Sequence, residues 1–100
     1  MKKLLIIVSV AFLLFSCGEL PGKYHVRYYG NGANSGYPPN DNTDYESGAF
    51  ATVLGKNTLK KTGFTFNGWN TRQDYSGERY KEGDKIEIKN FNVFLHAVWE

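Results

Sequence analysis

The stretch Gly63-Phe64-Thr65-Phe66-Asn67-Gly68-Trp69-Asn70-Thr71 decides the fold of this chain. It places three aromatic residues and two glycines within nine positions and carries no charged side chain. A small domain must bury most of its large aromatic side chains, because it has little other apolar surface to bury. The extended part of the stretch therefore predicts one wall of the core. The predicted core residues are Phe64, Phe66, Trp69, Leu95 and Trp99.

Alternating apolar and polar residues predict further strands on both sides of this stretch. They lie at residues 24–29, 50–54, 85–88 and 93–99. Side chains that alternate in this way point to opposite faces of a sheet. Residues 33–47 form a long loop rich in Asn, Asp and Pro, and residues 72–82 form a polar turn region. One helical turn is predicted at residues 57–62, with Asn57 as its N-cap.

The N-terminus has the pattern of an export signal. Two lysines follow Met1, and residues 4–15 contain a single polar side chain, Ser9. This apolar run is shorter than the about 20 residues of a membrane-spanning helix, so it predicts a signal peptide. Its end, Leu14-Phe15-Ser16-Cys17-Gly18, resembles the bacterial lipoprotein signal, in which a peptidase cuts before a cysteine whose sulfur carries a diacylglyceryl group. The alternative is an ordinary signal peptide with an incidental cysteine.

This pattern divides the chain into three parts: a signal peptide at residues 1–16, the lipidated Cys17 with a short tether to residue 23, and one domain at residues 24–100. An anchor of two or more acyl chains would hold the exported protein, surface-exposed, at the bacterial cell membrane or outer membrane. The cysteine is the only one in the chain, so no internal disulfide can form.

The charge of the chain gives no indication of an anionic partner. The whole sequence carries 12 basic and 10 acidic residues. Cleavage before Cys17 removes Lys2 and Lys3 and leaves the two signs balanced. A chain with no net positive charge does not indicate nucleic acid or anionic lipid headgroups as partners.

An ordered series of short motifs runs through the domain. It begins with Tyr28-Tyr29-Gly30-Asn31-Gly32-Ala33 and continues through Ser35-Gly36, Ser47-Gly48 and Val53-Leu54-Gly55 into the aromatic stretch at residues 63–71. It ends with Gly83-Asp84, Ile86, Ile88, Leu95, Ala97 and Trp99. The series resembles the internalin B-repeat, also called the Listeria-Bacteroides repeat, of bacterial surface proteins. The resemblance covers essentially the whole predicted domain.

The resemblance implies an α+β, mainly β fold. The expected architecture is a small β-grasp-like mixed sheet of four or five strands, with at most one short helix and with the first and last strands adjacent. It also implies an adhesion or protein-interaction module at the cell surface. The alternative is a structural spacer or an accessory subunit of an envelope assembly, although a single copy makes a poor spacer.

The sheet face that points away from the core is the candidate interaction face. Its predicted residues are His25, Arg27, Tyr29, Phe94, His96 and Val98. The corresponding positions of the family are more often short and polar, and exposed aromatic side chains gathered on one face indicate an interaction surface. The expected partners are a surface protein, a glycan or a second copy of this chain. The alternative is that a helix or the 33–47 loop covers this face.

No other chemistry is indicated by the sequence. The two histidines, His25 and His96, lack the third ligand that a zinc site usually needs. Residues 40–46 offer oxygen ligands but lack the glycine and the final acidic residue of an EF-hand loop. No serine lies in a Gly-x-Ser-x-Gly motif, and no carboxylate pair for acid–base catalysis can be inferred. We therefore expect neither a metal, a cofactor nor an enzymatic activity.

Overall fold

The computed structural model describes residues 22–100, which form two β-sheets joined by turns. The predicted signal peptide and Cys17 lie outside the described residues. The strands are β1 (Val26–Tyr29), β2 (Phe50–Thr52), β3 (Phe66–Asn70), β4 (Arg79–Tyr80), β5 (Lys85–Glu87) and β6 (Val93–Trp99). The larger sheet has the order β1-β6-β3-β4, and the smaller sheet pairs β2 with β5.

The larger sheet is mixed. β1 runs parallel to β6, with Val26 opposite Val93 and Tyr29 opposite His96. β3 runs antiparallel to both β6 and β4. The predictions of a mainly β fold and of adjacent first and last strands are therefore confirmed.

The predicted helical turn at residues 57–62 is wrong. Within residues 22–100 the structure contains strands, bridges and turns but no helix. Asn57 has a φ of 58°, in the left-handed region, whereas a helix N-cap has extended backbone angles. The turn instead places Leu59 in the core and brings Lys60 alongside Ser35, where their backbones form an antiparallel bridge.

The core lies between the two sheets, with alternate side chains of β1 and β6 pointing into it. Its buried apolar residues are Val26, Tyr28, Ala51, Val53, Leu59, Trp69, Ile86, Ile88, Val93, Leu95, Ala97 and Trp99. Trp69 is completely buried, and its indole N–H donates to the carbonyl of Leu54 at 2.8 Å. Its ring packs edge-on against Tyr28 and Phe66, with centroid distances of 4.8 and 5.0 Å. The polar nitrogen of this large side chain is therefore satisfied inside the core.

A β-bulge at Gly68 sets the direction of the side chains in β3. The pairing register with β6 shifts between Phe66 and Trp69. Gly68 has a φ of 93°, and a Cβ added there would lie 2.8 Å from the carbonyl oxygen of Tyr80. Both the backbone angle and the close approach require glycine. The bulge allows Trp69 to point into the core while Asn70 points to the opposite face.

One predicted core residue lies at the surface. Phe64 is 50% exposed and precedes β3, beyond the end of β6, since the next residue, Thr65, already pairs with the backbone of Glu100. Its ring lies under the Lys61 ammonium group, with 4.5 Å between Nζ and the ring centroid. The prediction that Phe64 lines the core is therefore wrong, whereas Phe66 is partly buried and packs against the core.

Candidate interaction face and groove

The outer face of the larger sheet, opposite the core, carries a row of aromatic side chains. Because Val26 and Tyr28 point inward, the alternation of β1 places Arg27 and Tyr29 on the outer face. The Tyr29 ring lies nearly parallel to that of His96, with centroids 5.3 Å apart, and 6.1 Å from that of Phe94. We call Tyr29, Phe94 and His96 the aromatic row. Tyr29 and Phe94 are 42% and 45% exposed.

The remainder of the outer face is covered by the loop at residues 71–78, which connects β3 to β4. The hydroxyl of Tyr75 accepts a hydrogen bond from the backbone N–H of Trp99 at 2.9 Å. The Asn31 side chain donates both to the Gln73 carbonyl and to the Ala97 carbonyl, at 3.1 and 2.9 Å. These contacts hold the loop over the last residues of β6.

Val98 is therefore not an exposed member of the predicted face. It is completely buried, although the alternation of β6 directs it away from the core. The expected cover was a helix or the 33–47 loop, whereas the 71–78 loop lies against this end of β6. The open part of the face consists of Arg27 and the aromatic row.

Asn70 anchors the 71–78 loop, a role that was not predicted from the sequence. It is 1% exposed, and its side-chain oxygen accepts hydrogen bonds from the backbone N–H groups of Arg72 and Gly77, at 2.9 and 3.0 Å. A second contact comes from Thr71, whose hydroxyl accepts from the N–H of Glu78 at 2.9 Å. Asparagine before a polar, glycine-containing segment is a common turn signal and could have indicated this role.

His25 lies at the edge of the outer face and is bound to the 33–47 loop. Its Nε2 atom is 2.6 Å from a carboxylate oxygen of Asp44, and its backbone N–H donates to the Asn92 side chain at 2.8 Å. This carboxylate partner was not predicted from the sequence. His25 therefore helps to hold the 33–47 loop beside β1, whereas His96 stacks on Tyr29 within the aromatic row.

The oxygen ligands of residues 40–46 are also engaged within the loop. Asp41 accepts hydrogen bonds from the Tyr45 hydroxyl and from the Thr43 N–H, at 2.7 and 3.0 Å. Partial burial opposes ionisation of Asp41, but these hydrogen bonds outweigh it and lower its pKa below the usual 3.8. No group of three or more His, Cys, Asp or Glu side chains suited to a metal ion occurs in the part of the chain that the structure describes.

A groove of about 1310 Å³ borders the aromatic row on the side of β3. It lies between the first residues of β6, the 71–78 loop and β5. Its lining includes Arg72, Glu78, Ile86, Glu87, Phe91 and Phe94. Phe91 is 61% exposed, so the mouth of the groove presents two accessible phenyl rings beside charged side chains.

Sequence comparison places this chain among known proteins. Residues 24–98 match the sequence profile of the Listeria-Bacteroides repeat domain. The chain belongs to the Listeria-Bacteroides repeat family. In this Listeria-Bacteroides repeat, the aromatic stretch at residues 63–71 provides the β-bulge, the buried Trp69 and Asn70, which anchors the 71–78 loop.

Two relatives of this Listeria-Bacteroides repeat come from Evansella cellulosilytica. One, named as a Gly-rich membrane protein, is 43% identical over 79 residues, which are 78% of this chain and 9% of that protein. The other, named as a membrane protein, is 39% identical over 77 residues, which are 76% of this chain and 11% of that protein. The chain thus spans about a tenth of the length of these relatives. No solved structure matches the chain. None of residues 22–100 belongs to a helix able to cross a membrane.

Proposed function

We propose that this Listeria-Bacteroides repeat is an interaction module, held at a bacterial membrane and exposed at the cell surface, that binds a partner through the open part of its outer sheet face. The observation that carries the proposal is the aromatic row. Two of its rings remain almost half exposed on a sheet face whose other end is covered by a loop. Apolar side chains that stay together in solvent on an otherwise covered face are typical of a binding surface.

The chemistry of the open face suits binding better than catalysis. Aromatic side chains and arginine are enriched at the energetic centres of protein interfaces, and Arg27 lies opposite Phe94 in the β1–β6 register. Stacking on His96 restricts the Tyr29 ring before a partner arrives, which lowers the entropy lost on binding. We propose that the module binds a surface protein, a glycan or a second copy of itself and that it has no enzymatic activity.

The proposal predicts that replacing Tyr29 and Phe94 together by serine weakens binding by about tenfold or more, which corresponds to about 1.4 kcal/mol. The full chain in detergent would be titrated against cell envelopes of the bacterium that produces it and against arrayed glycans, and its self-association would be measured by light scattering. Both side chains are exposed, so the circular dichroism spectrum should be unchanged.

A matched control replaces Tyr37 and Phe50 by serine. These residues are 77% and 63% exposed but lie outside the aromatic row, so the control makes the same chemical change elsewhere on the surface. Binding should then remain at the wild-type level. Wild-type binding by the folded Tyr29→Ser, Phe94→Ser variant in all three assays would contradict the proposed function.

The proposed membrane attachment is a lipid on Cys17, at the end of a signal peptide. The apolar N-terminal run and the lipoprotein-like residues before Cys17 support it, as do the names of the two relatives as membrane proteins. Metabolic labelling with a palmitate analogue should label the wild-type chain and not the Cys17→Ala variant. Equal labelling of both chains would exclude this cysteine as the attachment point.

A second candidate function is a structural spacer or an accessory subunit of an envelope assembly. It is favoured by the relatives, in which the matched region is only about a tenth of a much longer protein. A spacer depends on the fold and is insensitive to the aromatic row, so the serine variants distinguish the two candidates. We also propose a β-grasp-like relationship for the fold, which the parallel pairing of β1 with β6 supports.

A further inference from the structure

Strand β6 is paired on both sides along only part of its length. β3 pairs with it from Phe66, opposite Trp99, to Asn70, opposite His96. The first residues of β6 lie beyond this last pair, since the chain turns away after Asn70 into the loop that folds over the outer face. Among residues 22–100, no strand occupies the position beside Val93, Phe94 and Leu95 on that side.

The direction of the backbone groups in β6 follows from its pairing with β1. The N–H of Val93 donates to the carbonyl of His25 at 2.9 Å, so Val93 and Leu95 direct their backbone groups toward β1. Successive residues of a strand direct these groups to opposite sides. The N–H and C=O of Phe94 therefore point toward the groove, where β3 would lie if it were longer.

Strand β5 presents a second open edge to the same groove. The N–H of Ile88 donates to the carbonyl of Ala49, and the N–H of Val53 donates to the carbonyl of Asp84. Residues 84, 86 and 88 therefore direct their backbone groups toward β2. The backbone groups of Glu87 consequently point the other way, and Glu87 lines the groove. Main-chain donors and acceptors of two strands thus border one open space.

We propose that this groove takes an extended segment of a partner polypeptide as an added β-strand, hydrogen-bonded to the N–H and C=O of Phe94. The inference rests on the proposed function and specifies the partner class for the same region, since Phe94 also belongs to the aromatic row. A polypeptide strand presents donors and acceptors at the repeat of the existing β3–β6 ladder, which it would continue. The groove is also open to solvent and not enclosed, which suits an extended segment lying along it.

The charges of the groove indicate which types of residue the added segment would contain. Glu87 lies 3.5 Å from Lys89, so this pair contributes little net charge. Asp74 and Glu78 then outnumber Arg72 along the opposite wall. A segment with a lysine or arginine facing the 71–78 loop and an apolar side chain against Phe91 and Phe94 complements this lining.

Selection from a random-peptide library on phage tests the proposal, with the full chain in detergent as the target. Peptides of about twelve residues reach about 40 Å when fully extended, at roughly 3.3 Å per residue. The selected peptides should be rich in basic and apolar residues and poor in acidic residues and proline. Failure to select any peptide above the background of detergent alone would overturn the proposal. The envelope and glycan assays test the proposed function separately, without these peptides.

Two substitutions at the same position separate a backbone contact from a side-chain contact. Phe94→Ala removes the ring and keeps the N–H, whereas Phe94→Pro removes both. Proline is tolerated at strand positions whose N–H faces away from the neighbouring strand, so the pairing of β6 with β1 should persist. Strand addition predicts that a selected peptide binds the proline variant at least about tenfold more weakly than the alanine variant. Equal binding by the two folded variants would overturn strand addition and leave the aromatic row as the binding surface.

Amide hydrogen exchange of the wild-type chain provides a readout that does not depend on the stability of the variants. Without peptide, the Phe94 N–H should exchange faster than the N–H groups of Val93 and Leu95, which are directed toward β1. Saturation with a selected peptide should slow exchange at Phe94 by about tenfold or more, since the added strand would occupy this donor. A peptide that binds without protecting Phe94 would contradict the proposed pairing.

Discussion

Replacing Trp69 by alanine is expected to lower the free energy of unfolding by about 3–5 kcal/mol. A domain of this size has a net stability near the lower end of about 5–15 kcal/mol, so the variant should be largely unfolded or close to it. The side chain is completely buried and contacts both Tyr28 and Phe66 edge-on. Its removal would also leave the carbonyl of Leu54 without its hydrogen-bond donor.

Urea denaturation followed by far-UV circular dichroism would measure this loss. Trp69→Phe should lie between the wild type and Trp69→Ala, because it keeps an aromatic ring but removes the indole N–H. Phe64→Ala is the matched control from the same aromatic stretch, and its cost should stay below about 1 kcal/mol because the ring is half exposed. A Phe64→Ala variant as unstable as Trp69→Ala would show that the core extends further than the structure places it.

Replacing Asn70 by alanine is the second large effect that we expect, about 2 kcal/mol or more of lost stability. The substitution removes the acceptor of two backbone N–H groups, those of Arg72 and Gly77, at a residue that is almost completely buried. The 71–78 loop should then detach from the outer face and expose Val98. Urea denaturation would give the free energy, and faster amide exchange at Gly77 and Trp99 would report the detachment.

Asn67→Ala provides the control for the asparagine substitution. Asn67 lies on the same strand, but it is exposed, and its side-chain amide donates to the Glu100 carboxylate at the surface. An exposed hydrogen bond of this kind contributes little, so we expect a loss below about 1 kcal/mol and normal exchange at Trp99. Similar losses for the two variants would contradict the anchoring role of Asn70.

The sequence predicted those parts of the fold that depend on local alternation. Val93, Leu95, Ala97 and Trp99 share one face of β6, so both the bounds of this strand and its inward face follow from the alternation of side chains along it. β4 was missed because it has only two residues and lies within a polar turn region, where no alternating run marks it. The turn at Asn57 was mistaken for a helical turn because asparagine is favoured both as an N-cap and at left-handed turn positions.

The candidate site was predicted in part, and the errors in that prediction come from contacts between residues that are far apart in the sequence. The alternation of side chains along each strand correctly placed Tyr29 and Phe94 on the outer face, because it depends only on the residues of that strand. It could not reveal that a loop far away in the sequence covers Val98, because that depends on the side chains of Asn70 and Tyr75. The open edge at Phe94 was equally inaccessible, since it depends on where β3 stops pairing with β6.

The parallel pairing of β1 with β6 also determines how the domain would respond to tension. The two strands run in the same direction, so the start of β1 and the end of β6 lie at opposite ends of the sheet. Traction applied at those two points would pull the strands past each other along their length. The hydrogen bonds that join Val26–Tyr29 to β6 would then bear the load together in shear, rather than opening one after another. A module built in this way is suited to resist traction applied between the start of β1 and the end of β6.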